Sequence, residues 1–164
     1  LGFSPTKETT MLSPTKETTM PFAKVNIHFV WSTKNRAPYL KTKEIRDATW
    51  KHIKENATAK GIFIDFVNGY MEHCHCLVSL GTEQTISKVM QLIKGEAAYW
   101  FNKQNFINEK LEWQDEYFAV SVSESQLNIV REYIKNQEAH HNKKSFQQEY
   151  DEFIKKYGFQ KFKD

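Results

Sequence analysis

The pattern of apolar and polar positions changes its period several times along the chain. From Pro21, Val25, Ile27, Phe29 and Trp31 alternate with Asn26, His28, Val30 and Ser32, the period of a strand with one buried face. Lys34-Asn35-Arg36-Ala37-Pro38 then forms a basic loop stopped by proline. Thr42 to Lys60 is rich in helix formers and closes at Gly61, where a helix C-terminus favours glycine. Ile62 to Val67 predicts a second strand. Asn68-Gly69 is a tight-turn dipeptide, which would return the chain as a hairpin into a third strand within Met71 to Leu80, making strands two and three antiparallel neighbours.

Thr85 to Lys103 carries Ile86, Val89, Met90, Ile93, Ala97 and Phe101 at three- and four-residue spacing, a helix that packs on the sheet. Beyond Trp113 and Gln114, Glu116 to Val122 reads as a fourth strand. Ser123 with Gln126 three residues on is a capping box, so a further helix starts there, with Leu127, Val130, Ile134 and His141 along one side. Phe146 to Tyr157 repeats the helical period through Phe146, Tyr150, Phe153, Ile154 and Tyr157 before Gly158. The order β-α-β-β-α-β followed by helices predicts an α+β protein of the ferredoxin-like, split βαβ kind. Its antiparallel sheet would carry helices on one face.

Composition adds limits. The 164 residues include four Trp, seven Tyr and twelve Phe, enough for the core of one domain. Residues 1–19 instead hold a direct repeat, Ser4-Pro5-Thr6-Lys7-Glu8-Thr9-Thr10 and Ser13-Pro14-Thr15-Lys16-Glu17-Thr18-Thr19, with almost no large apolar residues. Such a stretch cannot offset its ordering entropy, so a disordered leader is expected, with Met20 a start for the functional protein, one domain over 20–158 and a tail at 159–164. A formal charge of +3 does not mark a nucleic-acid binder by itself. Cys74 and Cys76, the only cysteines, stand two apart on one strand and are badly placed to bridge each other. No stretch has the length of a membrane span and no signal region opens the chain, so a cytoplasmic location is expected.

The candidate chemistry lies in two places. His73 and His75 are two apart on the third strand and face the same side, and neutral imidazole is a common metal ligand. The competing structural reading has one ring bonded to a backbone carbonyl and the other at the surface. On the helix after Ser123, Tyr133 and Gln137 are four apart and stack on one face at the edge of the apolar stripe. They too have a plain reading, as a boundary aromatic and a helix former. A phenol with a pKa of about 10 is a poor nucleophile unless its electrophile is polarised. A divalent cation held by two imidazoles and a side-chain amide could bind a phosphate oxygen and do so, which would make a phosphodiester transfer site.

These residues also carry a resemblance. Glu72-His73-Cys74-His75-Cys76-Leu77-Val78 resembles the His-hydrophobe-His (HUH) strand of the single-tyrosine insertion-sequence transposases, the "IS two hundred"-like family, including relatives associated with repetitive extragenic palindromes. Tyr133-Ile134-Lys135-Asn136-Gln137 is similar to that family's Tyr-x-x-x-Gln helix. So are Ile27 to Arg36, Leu92-Ile93-Lys94-Gly95, and Trp113-Gln114 through Val122, and the likeness spans roughly Pro21 to His141. It implies cleavage and joining of single-stranded DNA with hairpin ends through a 5′-phosphotyrosine, with Mg²⁺ or Mn²⁺ and no nucleotide cofactor. Tyr133 would be the nucleophile and His73, His75 and Gln137 the metal ligands. It also implies a homodimer, with the tyrosine helix completing a site in cis or in trans. Cys74 and Cys76 depart from the bulkier aliphatics usual at their positions, which bears on packing rather than chemistry.

Lys34, Arg36 and Lys94 are candidate DNA-phosphate contacts, and Arg131, Lys143 and Lys144 flank the tyrosine helix. Trp31, Trp100 and Trp113 are available for base stacking but suit a core equally well. His28 could lie beside the metal site or be a hydrogen-bonded structural histidine. His140 could reach DNA or metal, or complement the helix dipole. Two other classes compete. One is a non-catalytic single-stranded nucleic-acid-binding module, which would place aromatic pairs on the middle strands. The other is a small zinc protein using His73, Cys74, Cys76 and His140 or His141, opposed by strand alternation, which points cysteines and histidines to opposite faces.

Overall fold

The computed structural model describes residues 21–158; the repeat leader, Met20 and the tail from 159 lie outside the described residues. Four strands, β1 (Asn26–Thr33), β2 (Phe63–Gly69), β3 (His73–Ser79) and β4 (Trp113–Val122), form one antiparallel sheet in the order β2-β3-β1-β4. This is the expected split βαβ order, with β3 and β1 in the centre. Helices α1 (Lys43–Ala59) and α2 (Ile86–Gln104) are the two crossovers, and α3 (Leu127–Lys135), α4 (Gln137–His141) and α5 (Phe146–Tyr157) follow β4.

Strand alternation divides the sheet into two unlike faces. Ile27, Phe29, Trp31, Cys74, Cys76 and Val78 point to α1 and α2 and build the main core with residues such as Trp50, Ile53, Met90, Ile93 and Phe101. Each large side chain fully buried there contributes about 1.5–3 kcal/mol. The opposite face carries His28, Val30, Ser32, His73, His75 and Leu77, paired across the strands as Ser32 with His73, Val30 with His75 and His28 with Leu77. The sheet thus has helices on both faces rather than one. The crossover helices cover the apolar face, while Leu127 and Ile134 of α3 pack on Leu77 and residues of α5 meet the histidines.

The start signals of three helices are formed by side chains. Thr42 accepts from Ile45 N–H, Thr85 accepts from Lys88 N–H, and Ser145 with Gln148 makes a reciprocal capping box ahead of α5. The box expected at Ser123 does not form. Its hydroxyl meets Ser125 Oγ at 3.2 Å instead, and Gln126 N–H bonds to the Ser123 carbonyl in a single 3-10 turn over residues 124–126. The helix therefore begins at Leu127. It is interrupted at Asn136, although Asn136 N–H still reaches Glu132 O and His140 N–H still reaches Asn136 O.

Asn68-Gly69 is not the hairpin turn. Both residues belong to β2, paired with His75 and Cys74, and the chain reverses over residues 70–72. Gly69 is required there for a packing reason, since a Cβ would sit 2.1 Å from the His73 carbonyl oxygen and 3.0 Å from the Trp50 ring. Gly69→Ala should lower the unfolding free energy by about 1–3 kcal/mol in urea denaturation. Gly95→Ala, on α2 with nothing within 4 Å of the added carbon, should instead raise it by about 0.5–1 kcal/mol.

Candidate active site

His73 and His75 are both fully buried on β3, and each is held by one ring nitrogen so that the other faces a common point. The Glu72 carboxylate meets His73 Nδ1 at 2.7 Å. A carboxylate can only accept, so in the neutral ring Nδ1 carries the proton and Nε2 keeps its lone pair. His75 Nδ1 lies 2.9 Å from His28 Nε2, which leaves His75 Nε2 facing the same space. Burial, then the neighbouring His75, lowers the His28 pKa to about 3, and burial lowers that of His75 to about 4. Both rings are therefore neutral, the form that binds metals.

The chain after β4 closes over this point. Gln137 opens α4 fully buried, and its Nε2 donates to the Tyr133 carbonyl at 3.3 Å. That fixes the amide with Oε1 turned inward, 3.1 Å from His73 Nε2. Asn68 secures the junction of the two helices, its amide donating to the carbonyls of Ile134 and Lys135 at 2.9 and 3.1 Å. Arg131 to Asp65 and the buried Arg46 to Glu138 tie α3 to β2 and α4 to α1. His73, His75, Gln137 and Tyr133 thus come together within one chain, the Tyr133 ring lying 5.5 Å from that of His75.

Glu149 of α5 joins them and was not singled out from the sequence. It is 2% exposed, accepts from Tyr133 Oη at 2.5 Å, and places Oε1 2.7 Å from His75 Nε2 and Oε2 2.7 Å from His141 Nε2. A signal was present: three residues after Phe146 and four before Phe153, it is a carboxylate on the apolar stripe of an amphipathic helix. Burial pushes its pKa up, but the close approach of His141 and His75 outweighs this and holds it well below the usual carboxylate range. Burial, reinforced by Glu149, raises the Tyr133 phenol and keeps it protonated. His141 also reaches Gln137 Oε1 at 3.0 Å, while His140 stands further out, 3.8 Å from Glu149 Oε2.

Three of these atoms have unmet valences. His75 Nε2, Glu149 Oε2 and His140 Nε2 are buried without a hydrogen-bond partner, the short contacts of the first two lying off the hydrogen-bonding direction. One ligand atom each from His73, His75 and Glu149 lies within 4.8 Å of the others, and Gln137 Oε1 borders the same space. Imidazole nitrogens, an amide oxygen and a carboxylate converging on one space suit a cation, so the donor set fits a divalent metal.

The basic candidates stand apart from this cluster. Asn35 and Arg36 adopt left-handed φ values of 55° and 54°, which aims the Arg36 guanidinium over the rings of Tyr150 and Phe146 at 4.9 and 5.4 Å. Phe146 stacks in turn on His73, 4.2 Å between centroids. Arg36 lines a cleft of about 410 Å³ beside the site, and Lys34 and Lys94 line a second of about 450 Å³, Gln114 bordering both. Lys94 Nζ also donates to the Gln114 and Asp115 carbonyls. Trp31 is in the core, Trp113 donates to the Lys94 carbonyl, and Trp100 stacks on His52. No helix among the described residues is long and apolar enough to cross a membrane.

A split βαβ sheet with paired histidines on a central strand beneath a tyrosine-bearing helix is the architecture of a transposase-like α+β fold. The family model described as IS200-like transposase matches residues 21–137, and the chain belongs to that family. Among solved structures it is similar to a protein from Deinococcus radiodurans R1 provisionally described as a transposase, with a TM-score of 0.58 and 23% identity over 71% of this chain and 93% of that one. It is also similar to a REP-associated tyrosine transposase bound to a REP hairpin, with a TM-score of 0.53 and 17% identity over 74% of this chain and 71% of that one. No curated protein matches the chain.

Cys74 and Cys76 are fully buried against the crossover helices, with thiol pKa values raised by burial, and belong to none of the metal-ligand groupings. Ellman's reagent should therefore find no reactive thiol in the native protein and two after denaturation. Zinc-protectable native thiols would restore the cysteine–zinc reading.

Proposed function

We propose that the protein cleaves and rejoins single-stranded, hairpin-containing DNA through a 5′-phosphotyrosine on Tyr133, assisted by Mg²⁺ or Mn²⁺. The observation that carries this reading is the meeting of His73 Nε2 and Gln137 Oε1 at 3.1 Å, with the Tyr133 carbonyl fixing the amide and the tyrosine hydroxyl pointing into the same pocket. A bound cation would supply Lewis-acid polarisation of the scissile phosphate. Membership of the transposase family and the hairpin held by the similar REP-associated structure support the substrate class.

In the reaction the Tyr133 Oη–phosphorus bond forms as the phosphorus–O3′ bond breaks. The phenol gives up its proton and the departing 3′ oxygen takes one up. Attack by another 3′-hydroxyl reverses these steps, so the phosphotyrosine bond supplies the energy for joining and no nucleotide cofactor is consumed. Glu149 Oε1, already accepting from Tyr133 Oη, stands where the phenol proton leaves. The strand would run from the histidines past Phe146 into the Arg36 cleft and on toward Lys34 and Lys94, where cationic groups hold phosphates. His73, His75, Gln137 and Tyr133 meet within one chain, an arrangement in cis, and the homodimer implied by the resemblance is part of the same proposal.

Incubation with end-labelled hairpin oligonucleotides in Mg²⁺ or Mn²⁺ should yield a denaturant-resistant protein–DNA adduct on the fragment downstream of the cut, joined through its 5′ phosphate, and should release the upstream fragment with a free 3′-hydroxyl. Tyr133→Phe should abolish it, and His73→Ala should slow its formation by about 100-fold or more, equivalent to the loss of several kcal/mol of charge stabilisation. An adduct formed as fast by Tyr133→Phe would remove Tyr133 as the nucleophile. Arg36→Ala should weaken oligonucleotide binding measured by fluorescence anisotropy, with a smaller dependence on salt than in the wild type.

A further inference from the structure

We propose that Glu149 is the acidic ligand of the bound cation, contributed by the C-terminal helix beyond the stretch that matches the transposase family. The inference rests on the metal-assisted reading above and goes beyond it in ligand set and in the choice of metal. The matched stretch ends at residue 137, whereas Glu149 lies in α5.

Three observations carry it. The first is the placement of the carboxylate: at 2% exposure, Glu149 has ligand atoms of His73 and His75 within 4.8 Å, and no lysine or arginine among the described residues pairs with it. A buried anion bordered by imidazoles and a phenol lacks the fixed positive partner that would offset its desolvation. The second is that Glu149 Oε2 and His75 Nε2 are both buried without a hydrogen-bond partner, and the two residues belong to one grouping of candidate metal ligands. One cation would satisfy both.

The third is that α5 is built to hold this residue in place. Its N-terminus is fixed by the Ser145–Gln148 capping box, and Lys144 is ion-paired to Glu152. Phe146, one turn before Glu149, lies flat on His73 at 4.2 Å and 13°, and Phe153, one turn after, sits 6.1 Å from His28 and 6.3 Å from His75. The aromatic flanks of the helix dock on the same histidines that the carboxylate addresses. A site made only of imidazoles and one amide favours zinc or nickel, and a carboxylate oxygen moves the preference toward magnesium and manganese. On this basis Glu149 gives the site its selectivity for a hard cation.

The test is the affinity of the full DNA-free chain for Mn²⁺ and Ni²⁺ by titration calorimetry, compared among wild type, Glu149→Gln, Glu149→Asp and His73→Ala. Glu149→Gln should weaken Mn²⁺ binding by about 10-fold or more and Ni²⁺ binding by less, with Glu149→Asp between it and the wild type. Unchanged or tighter Mn²⁺ binding by Glu149→Gln, with binding lost in His73→Ala, overturns the assignment of Glu149 and leaves the metal-assisted reading intact. Unchanged Mn²⁺ binding in His73→Ala overturns both. Melting curves in chelator establish that the variants fold. If the Glu149 variants do not fold, wild-type protein carrying ¹³C-labelled glutamate carboxyls decides: Mn²⁺ should broaden one buried glutamate signal ahead of the exposed ones, and uniform broadening counts against Glu149.

Discussion

Two imidazoles with nothing but protein around them are costly to leave unpaired, and the sheet face that bears His73 and His75 is arranged around that cost. Glu72 and His28 each occupy one Nδ1. The remaining nitrogens are turned toward Gln137 and Glu149, groups delivered by helices that come after the sheet is complete. The burial that makes the rings expensive lowers the pKa of His75 and keeps that ring neutral, which leaves its Nε2 lone pair available for a metal. The opposite face of the same strand carries only the demands of a hydrophobic core, which Cys74 and Cys76 meet as small apolar groups.

The histidines could not be addressed by a loosely held helix. The segment with Tyr133 and Gln137 is tied to the sheet by polar contacts that are specific in direction: the Asn68 amide to two carbonyls at the end of α3, Arg131 to Asp65, and the buried Arg46 between the Leu40 carbonyl and Glu138. Breaking the Arg46 contact would strand a charge inside the protein, so it fixes geometry more than it adds stability. Tyr70 lies under the Arg46 guanidinium and stacks on His141, joining the β2–β3 turn to α4. The break at Asn136 costs little, since the backbone ladder carries on either side of it.

On one side of this cluster, Phe146 serves both the site and the cleft. One face of its ring is on His73 and its other surroundings are Arg36 and Tyr150, so the histidine cluster and the basic cleft share a wall. A strand of DNA with its scissile phosphate at Tyr133 would meet aromatic and guanidinium surfaces immediately beside it, the combination suited to unstacked bases.

The sequence by itself determined the elements and their faces. Period-two alternation placed His73 and His75 together and the cysteines opposite, helical spacing marked α2 and α5, and the element order specified a split βαβ sheet, because these signals are local and set by backbone geometry. The four residues read as a site, His73, His75, Tyr133 and Gln137, were legible from type and spacing, and the fold brings them together. What the tertiary structure decided depends on contacts between distant segments. Asn68-Gly69 has the composition of a turn, but Asn68 caps a helix 66 residues away and Gly69 makes room for the His73 carbonyl, so both stay in the strand. Ser123 spends its hydroxyl on Ser125 and not on a cap. Glu149 could be seen in the sequence only as an acid among aromatics, since its partners are 8 to 76 positions away and no local pattern encodes which buried nitrogens a carboxylate will meet.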